Sequence, residues 1–176
     1  MTRAYLAFTE KGLALAQKLA SALPGTVDRC GHGGPSLADW AAEQFAHADA
    51  LIFVGAVGIA VRAIAPHCRN KAVDPAVVVL DECGHFAVPI LSGHLGGAND
   101  LARALAAVCG AVPVITTATD ANGVFAVDAW ARHQNCAVLE PGRIKRVSSR
   151  LLAGGPVRYR SEFPIAGQAP AGVVPA

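Results

Sequence analysis

The chain has 176 residues, 15 Lys and Arg against 13 Asp and Glu, and a formal net charge of +2. That length suits one domain, or one domain with a small appendage, and can bury roughly 70% of the unfolded surface without help from a disulfide or metal. Apolar residues at 53% and charged residues at 16% exclude a disordered chain, and the balanced charge excludes a general nucleic-acid binder.

Much of the apolar fraction is alanine, 36 residues in all. The longest candidate membrane span, Ala50 to Val61, has 12 uncharged residues before Arg62, where a membrane-spanning helix needs about 20; no membrane partner is expected. Met1 to Leu6 reaches Glu10 and Lys11 too soon for a signal peptide. The five cysteines are odd in number and form no CxxC pair, a usage that fits a reducing, cytoplasmic setting.

In chain order, Ala4 to Phe8 reads as a strand. Thr9 then caps a helix whose Leu13, Ala16, Leu19, Ala20 and Leu23 repeat at helical spacing until Pro24 and Gly25 stop it. Gly31 to Pro35 is a loop, and Ser36 caps a second helix that carries Trp40 and Phe45 to about Ala48. Ala50 to Val54 is a continuous apolar run, the mark of a strand covered on both faces. Gly55 to Gly58 turns the chain into a short helix that ends at Pro66.

Ala76 to Leu80 is a second buried strand. Phe86 to Ile90 contains Pro89 and reads as an edge strand or extended segment. Ser92 to Gly97 is a loop, Ala98 to Cys109 a helix with Leu101, Leu105 and Val108 on one face, and Val112 to Thr116 a strand. Beyond Asp120 the texture becomes turn-rich and basic. A helix at 127–133, a short strand at 137–139, a basic amphipathic helix at 144–152 and a strand at 157–159 are expected there. The fold class is therefore α/β: a three-layer open, mostly parallel sheet with helices on both faces, plus a small αβ lobe. The expected division is 1–120, then a lobe at 121–163, then a flexible tail at 164–176.

Open α/β sheets bind ligands beyond the carboxyl ends of their strands. On that rule three loops share one edge: Gly55 to Gly58 with Arg62 following, Ser92 to Asn99, and Thr116 to Asp120, with Asp81 and Glu82 close by. Glycines let backbone amides approach a ligand, and helix N-termini favour anions. Gly55, Gly58, Arg62, Ser92, Gly93, Gly96, Gly97, Asn99, Thr116 and Thr119 are thus candidate contacts for a substrate with several negative groups. His94, between glycines on a loop, has little packing work to do and is a candidate base. Plainer readings stand beside these. His94 could brace its loop, Thr116 and Thr117 could be strand residues, Asp120 could belong to a turn, Asp81 to Gly84 could be a hairpin turn, and Arg62 could be solvated. The basic cluster Arg143, Lys145, Arg146 and Arg150 reads first as a solvated helix face. His67, Cys68, Cys83 and His85 match no usual zinc spacing, so no protein-held metal is expected. Ser92 lacks a nucleophile-elbow context.

Four stretches in order carry a family resemblance: Gly55 to Pro66, Lys71 to Val79, Pro89 to Asn99, and Pro113 to Asp120. They resemble the CbiG amino-terminal domain. Ala126 to Ala131 and Ile144–Lys145 resemble that family's central region. The resemblance implies the cobalt-precorrin-5A hydrolase step of anaerobic cobalamin biosynthesis: a δ-lactone on a cobalt tetrapyrrole is opened and acetaldehyde is released. Cobalt would arrive within the corrinoid substrate, so no cofactor is implied. Family members usually continue into a C-terminal domain. A separate C-terminal domain protein, or other enzymes of the pathway, are the implied partners. Lactone opening needs activated water and oxyanion stabilisation. His94 is the first choice for base, with Asp120 or Asp81 to orient or replace it. Thr117 and the Gly96 and Gly97 amides are oxyanion donors, and Arg62 is a carboxylate anchor. The alternatives are a non-catalytic corrinoid-binding module working with a partner domain, or a nucleotide- or phosphosugar-binding α/β protein. Absence of the usual nucleotide Lys or Asp spacings weakens the latter.

Overall fold

The computed structural model describes residues 1–31 and 33–176. The chain forms two compact units, Met1–Ile115 and Thr116–Ala176.

The first unit is built on a six-stranded sheet in the order β2-β1-β3-β4-β5-β6. Its strands are β1 (Arg3–Ala7), β2 (Thr26–Arg29), β3 (Ala50–Val54), β4 (Ala76–Leu80), β5 (Phe86–Leu91) and β6 (Val112–Pro113). β2, β1, β3 and β4 run parallel. Every side chain of β3 and β4 is buried, as continuous apolar runs in a sheet covered on both faces must be. Four helices supply the cover: α1 (Glu10–Ala22), α2 (Leu37–His47), α3 (Val57–Ile64) and α4 (Ala98–Cys109).

Side chains alternate along each strand, so each face has its own core. On one face Tyr5, Ile52, Val54, Val78 and Leu80 meet Leu19 of α1 and Leu101 and Leu105 of α4. On the other, Leu6, Leu51, Phe53, Val77 and Val79 meet Trp40 of α2 and Ala60 and Ile64 of α3. Two polar bonds fix the flanks: the Trp40 indole donates to Asp28 Oδ2 at 2.9 Å, and the Tyr5 hydroxyl donates to the Leu23 carbonyl at 2.6 Å. The helix starts follow the sequence. The Thr9 and Ser36 hydroxyls accept from the amides of Gly12 and Asp39, satisfying donors that a helix N-terminus leaves open.

Burial pushes the Tyr5 phenol above its usual range, with Arg3 opposing weakly. Because the raised pKa favours the protonated form in the folded state, the associated stability is complete below about pH 10 and falls as pH rises beyond it. Tyr5→Phe is expected to cost about 1 kcal/mol at neutral pH, the usual worth of one such bond. It should also shed part of the wild type's loss of stability above about pH 10. Urea unfolding at pH 7 and pH 10.5 checks both effects.

Three departures from the sequence expectation concern the sheet. β2 was not foreseen: Thr26–Arg29 is a mixed polar segment, half-buried at the sheet edge, without an apolar run to announce it. β5 is not an edge strand, since it lies between β4 and β6, and it runs antiparallel to β4. The cause is the turn Asp81–His85. The Asp81 carboxylate accepts the amides of Cys83, His85 and Phe86 at 2.8–2.9 Å. Gly84 closes back on the Asp81 carbonyl with φ +72°, a left-handed value that glycine adopts without strain. Pro89 is accommodated beside a register shift opposite Val77 and Val78. The third departure is the strand expected at 112–116, which shrinks to Val112–Pro113.

The second unit contains α5 (Ala118–Ala121), α6 (Val127–His133), α7 (Ile144–Leu152) and a parallel pair of short strands, β7 (Val157–Tyr159) and β8 (Val173–Pro175). β8 falls within the stretch expected as a flexible tail. In α7, Ile144 and Leu151 are buried while Lys145, Arg146 and Arg150 are exposed, as is Arg143 just before it, so the basic cluster is a solvated face. No strand forms at 137–139. Leu139 is 92% exposed, and nothing there covers an apolar run. No described helix is long and apolar enough to cross a membrane. The loop expected at Gly31 to Pro35 includes His32, which lies outside the described residues.

Candidate functional site

The β4–β5 turn decides where the candidate residues stand. β1, β3 and β4 end together, and their carboxyl end carries Phe8 and Thr9, Gly55 to Gly58, and Asp81 to His85. The Gly55 amide donates to the Leu80 carbonyl at 2.8 Å, and the Thr9 hydroxyl donates to Glu82 at 2.7 Å. A Cβ on Gly55 would meet the Phe8 ring at 2.7 Å, so the glycine is there to let β3 turn over that ring. Arg62 donates to the Gly58 carbonyl one turn earlier in α3, at 3.0 Å.

The Ser92–Asn99 turn sits at the other end. β5 runs back along β4, bringing Leu91 opposite Val77, and the Ser92 hydroxyl donates to the Asp74 carbonyl at 2.9 Å. A five-residue strand is roughly 16 Å long. The expectation that Gly55, Gly58, Arg62 and Asp81 share an edge with His94 is thereby corrected, and Asp81 cannot orient His94. β6 runs parallel to β5, so residues 114–115 leave the sheet toward the end that bears the His94 turn.

The His94 turn is a tightly built object. Ser92 is buried with φ 55°, an unusual backbone for serine. A Cβ on Gly96 would stand 2.5 Å from that of Ser92, and one on Gly93 would stand 2.8 Å from Asn99 Oδ1; these two glycines are steric requirements of the turn. The amides of Gly97, Ala98 and Asn99 donate to the carbonyls of His94, Ser92 and Gly93 at 2.9–3.1 Å. Gly97 has φ 85°. Its amide is consumed inside the turn and cannot serve as an oxyanion donor. Asn99 is buried, whereas His94 is partly exposed. Main-chain bonds thus brace the turn from within.

In the second unit, Thr117 precedes α5 and donates its hydroxyl to Asp120 Oδ2 at 2.5 Å. That bond directs the Thr117 proton to Asp120, away from the oxyanion role expected of it. Thr119 is buried and Thr116 exposed.

Two features escaped the sequence reading. One is a pocket of about 430 Å³ in the first unit, lined among others by Phe45, His67, Cys68, Arg69 and Asp74. Buried Asp74 receives the Arg69 amide at 3.0 Å. Its lining residues come from α2 and from the irregular chain after α3, which no local pattern joins. The other is the grouping of Asp81, Cys83 and His85, whose ligand atoms lie within 4.8 Å of one another. The i, i+2, i+4 spacing across a hairpin turn was the available signal.

A mostly parallel six-stranded sheet covered by helices on both faces defines an α/β domain of the open-sheet class. The family model for cobalamin synthesis G N-terminal matches residues 39–120, and this stretch of the chain belongs to that family. A cobalt-precorrin-5A hydrolase from Salmonella typhimurium is 46% identical over 159 residues, covering 85% of this chain and 45% of the relative. One from Priestia megaterium is 48% identical over 82 residues, 47% of this chain and 22% of the relative. A crystal structure of a cobalamin biosynthesis protein G homologue from Sulfolobus solfataricus shares the fold at TM-score 0.60 and 21% identity, over 98% of this chain and 52% of that one. The chain thus spans about half the length of that homologue and less than half of the curated relatives.

Proposed function

We propose that the chain is the amino-terminal portion of a cobalt-precorrin-5A hydrolase. The observation that carries this reading is 46% identity to the Salmonella relative across 85% of the chain. The proposed substrate is a cobalt tetrapyrrole bearing a δ-lactone and many carboxylates. Water adds to the lactone carbonyl and the ring ester C–O bond breaks, leaving a carboxylate and a free hydroxyl. A base removes that hydroxyl proton, the adjacent C–C bond breaks, acetaldehyde departs, and the electron pair stays on the macrocycle until protonated.

His94 is the proposed base, because imidazole exchanges a proton near neutrality and the turn beneath it is fixed by its own backbone bonds. Asp120, hydrogen-bonded to Thr117, is the proposed replacement. Ser92, Gly93, Gly96 and Asn99 act by shaping the turn. Gly55, Gly58 and Arg62 belong to a separate end of the sheet, where Arg62 is proposed to grip a peripheral carboxylate. A corrinoid-binding role without catalysis is the second reading, favoured by the 45% coverage of the relative.

The test is incubation with cobalt-precorrin-5A, using the chain alone and mixed with the carboxyl-terminal remainder of the Salmonella relative. Acetaldehyde release in either mixture supports the hydrolase reading. Corrinoid binding without acetaldehyde in both supports the binding module, and no corrinoid binding overturns both.

A further inference from the structure

We propose that the Asp81–His85 turn is a binding site for a thiophilic divalent cation of the zinc class, held by Asp81 Oδ1, Cys83 Sγ and His85 Nδ1. The proposal concerns the end of the sheet away from His94 and does not depend on the hydrolase reading. Thiolate, imidazole and carboxylate are the three donor types that bind such ions, at about 2.3, 2.0–2.1 and 2.0–2.2 Å respectively. Tetrahedral geometry at those lengths puts ligand atoms roughly 3.3–3.8 Å apart. His85 Nδ1 stands 3.6 Å from Asp81 Oδ1, and all three ligand atoms fall within 4.8 Å of one another. Closing the set needs only a rotamer adjustment at exposed side chains.

The carboxylate arrives pre-aimed. Its Oδ2 accepts the amides of His85 and Phe86, and its Oδ1 accepts that of Cys83, which leaves lone-pair capacity on Oδ1. Bonds of this outer kind orient metal ligands and strengthen sites. The same three bonds hold the Asp81 carboxyl below the usual carboxylate range, although burial pulls the other way. A cation already visits the sulfur, since the Lys11 ammonium lies 2.9 Å from Cys83 Sγ. Asp81 and Glu82 outnumber that single ammonium in charge, so a dication would find a local excess of negative charge. Binding releases the Cys83 proton to solvent, displaces Lys11, and leaves the fourth position open on the exposed side. Three protein ligands plus an open position is the pattern of a zinc ion that engages a further ligand, in contrast to a closed four-ligand structural site.

The probe is Co(II) added alone to the full chain and followed optically, with Zn(II) as competitor. The expected result is a saturable 1:1 spectrum with a thiolate-to-cobalt charge-transfer band, bleached by Zn(II). Cys83→Ser should abolish that band. His85→Gln should weaken Co(II) by more than the roughly 10–100-fold that losing an outer-shell partner costs. Cys68→Ser should change nothing, because Cys68 follows α3 and donates to the Ile64 carbonyl, away from the turn. Both turn variants are at exposed positions, and circular dichroism should show unaltered folding. No band, a band surviving Cys83→Ser, or unchanged affinity in His85→Gln would overturn the proposal.

Discussion

His94→Ala is expected to lower acetaldehyde release by about 10²–10⁴-fold, the usual contribution of a positioned general base, while the fold remains intact. The second half of that expectation comes from the turn's construction. The main-chain bonds of the turn and the bond from the Ser92 hydroxyl to the Asp74 carbonyl do not involve the imidazole and persist when it is removed. A brace would behave in the opposite way, with stability falling and any residual folded enzyme turning over normally. Single-turnover kinetics on cobalt-precorrin-5A, with the carboxyl-terminal remainder present and thermal unfolding in parallel, separates the two. Near-wild-type chemistry would move the base to Asp120. Turnover, not substrate binding, should carry the loss, because a base acts in the transition state.

Phe53→Ala should cost about 3–5 kcal/mol, the range for truncating a buried aromatic ring. Phe53 is fully buried at the centre of the sheet, between β1 and β4. It meets Trp40 edge-on at 5.3 Å and 74°, a geometry worth about 0.5–1.5 kcal/mol beyond area. Against a whole-domain stability of about 5–15 kcal/mol, that loss should bring a visible unfolded population at modest urea. Equilibrium urea unfolding measures it. A cost below about 1.5 kcal/mol would mean that α2 does not pack on β3 as described.

Legibility in the sequence followed the strength of local pattern. The buried strands announced themselves because residues covered on both faces leave a continuous apolar run. Thr9 and Ser36 announced α1 and α2 because a capping hydroxyl precedes a periodic stretch. Thr26–Arg29 did not, since an edge strand can be half polar. The basic, turn-rich texture suggested a boundary at residue 120, whereas the two compact units divide between Ile115 and Thr116. The candidate site suffered most from a single reversal. Asp81 to Gly84 can be read as a hairpin turn from its residues, but the consequence is global: a hairpin inverts β5 and carries the Ser92–Asn99 turn to the far end of the sheet. A rule that assigns every strand's carboxyl end to one edge fails at that point. The pairing of Thr117 with Asp120 and the commitment of the Gly97 amide are matters of bond direction, which residue identity does not specify.

The shortness of β6 has a cost that Pro89 offsets. β6 pairs only with Phe86 and Ala87 of β5, and its ladder stops there. The Ala87 carbonyl faces that side, where it receives the Val114 amide at 2.8 Å. Two residues on, by strand alternation, Pro89 turns its nitrogen the same way. An unpaired strand edge is a template on which another chain can add a strand, and natural sheets blunt such edges with proline. Pro89 offers no N–H there, so the segment where β5 outruns its neighbour lacks a donor that an intruding strand would need. A residue that looks like a flaw in a core strand is in this position a guard against self-association.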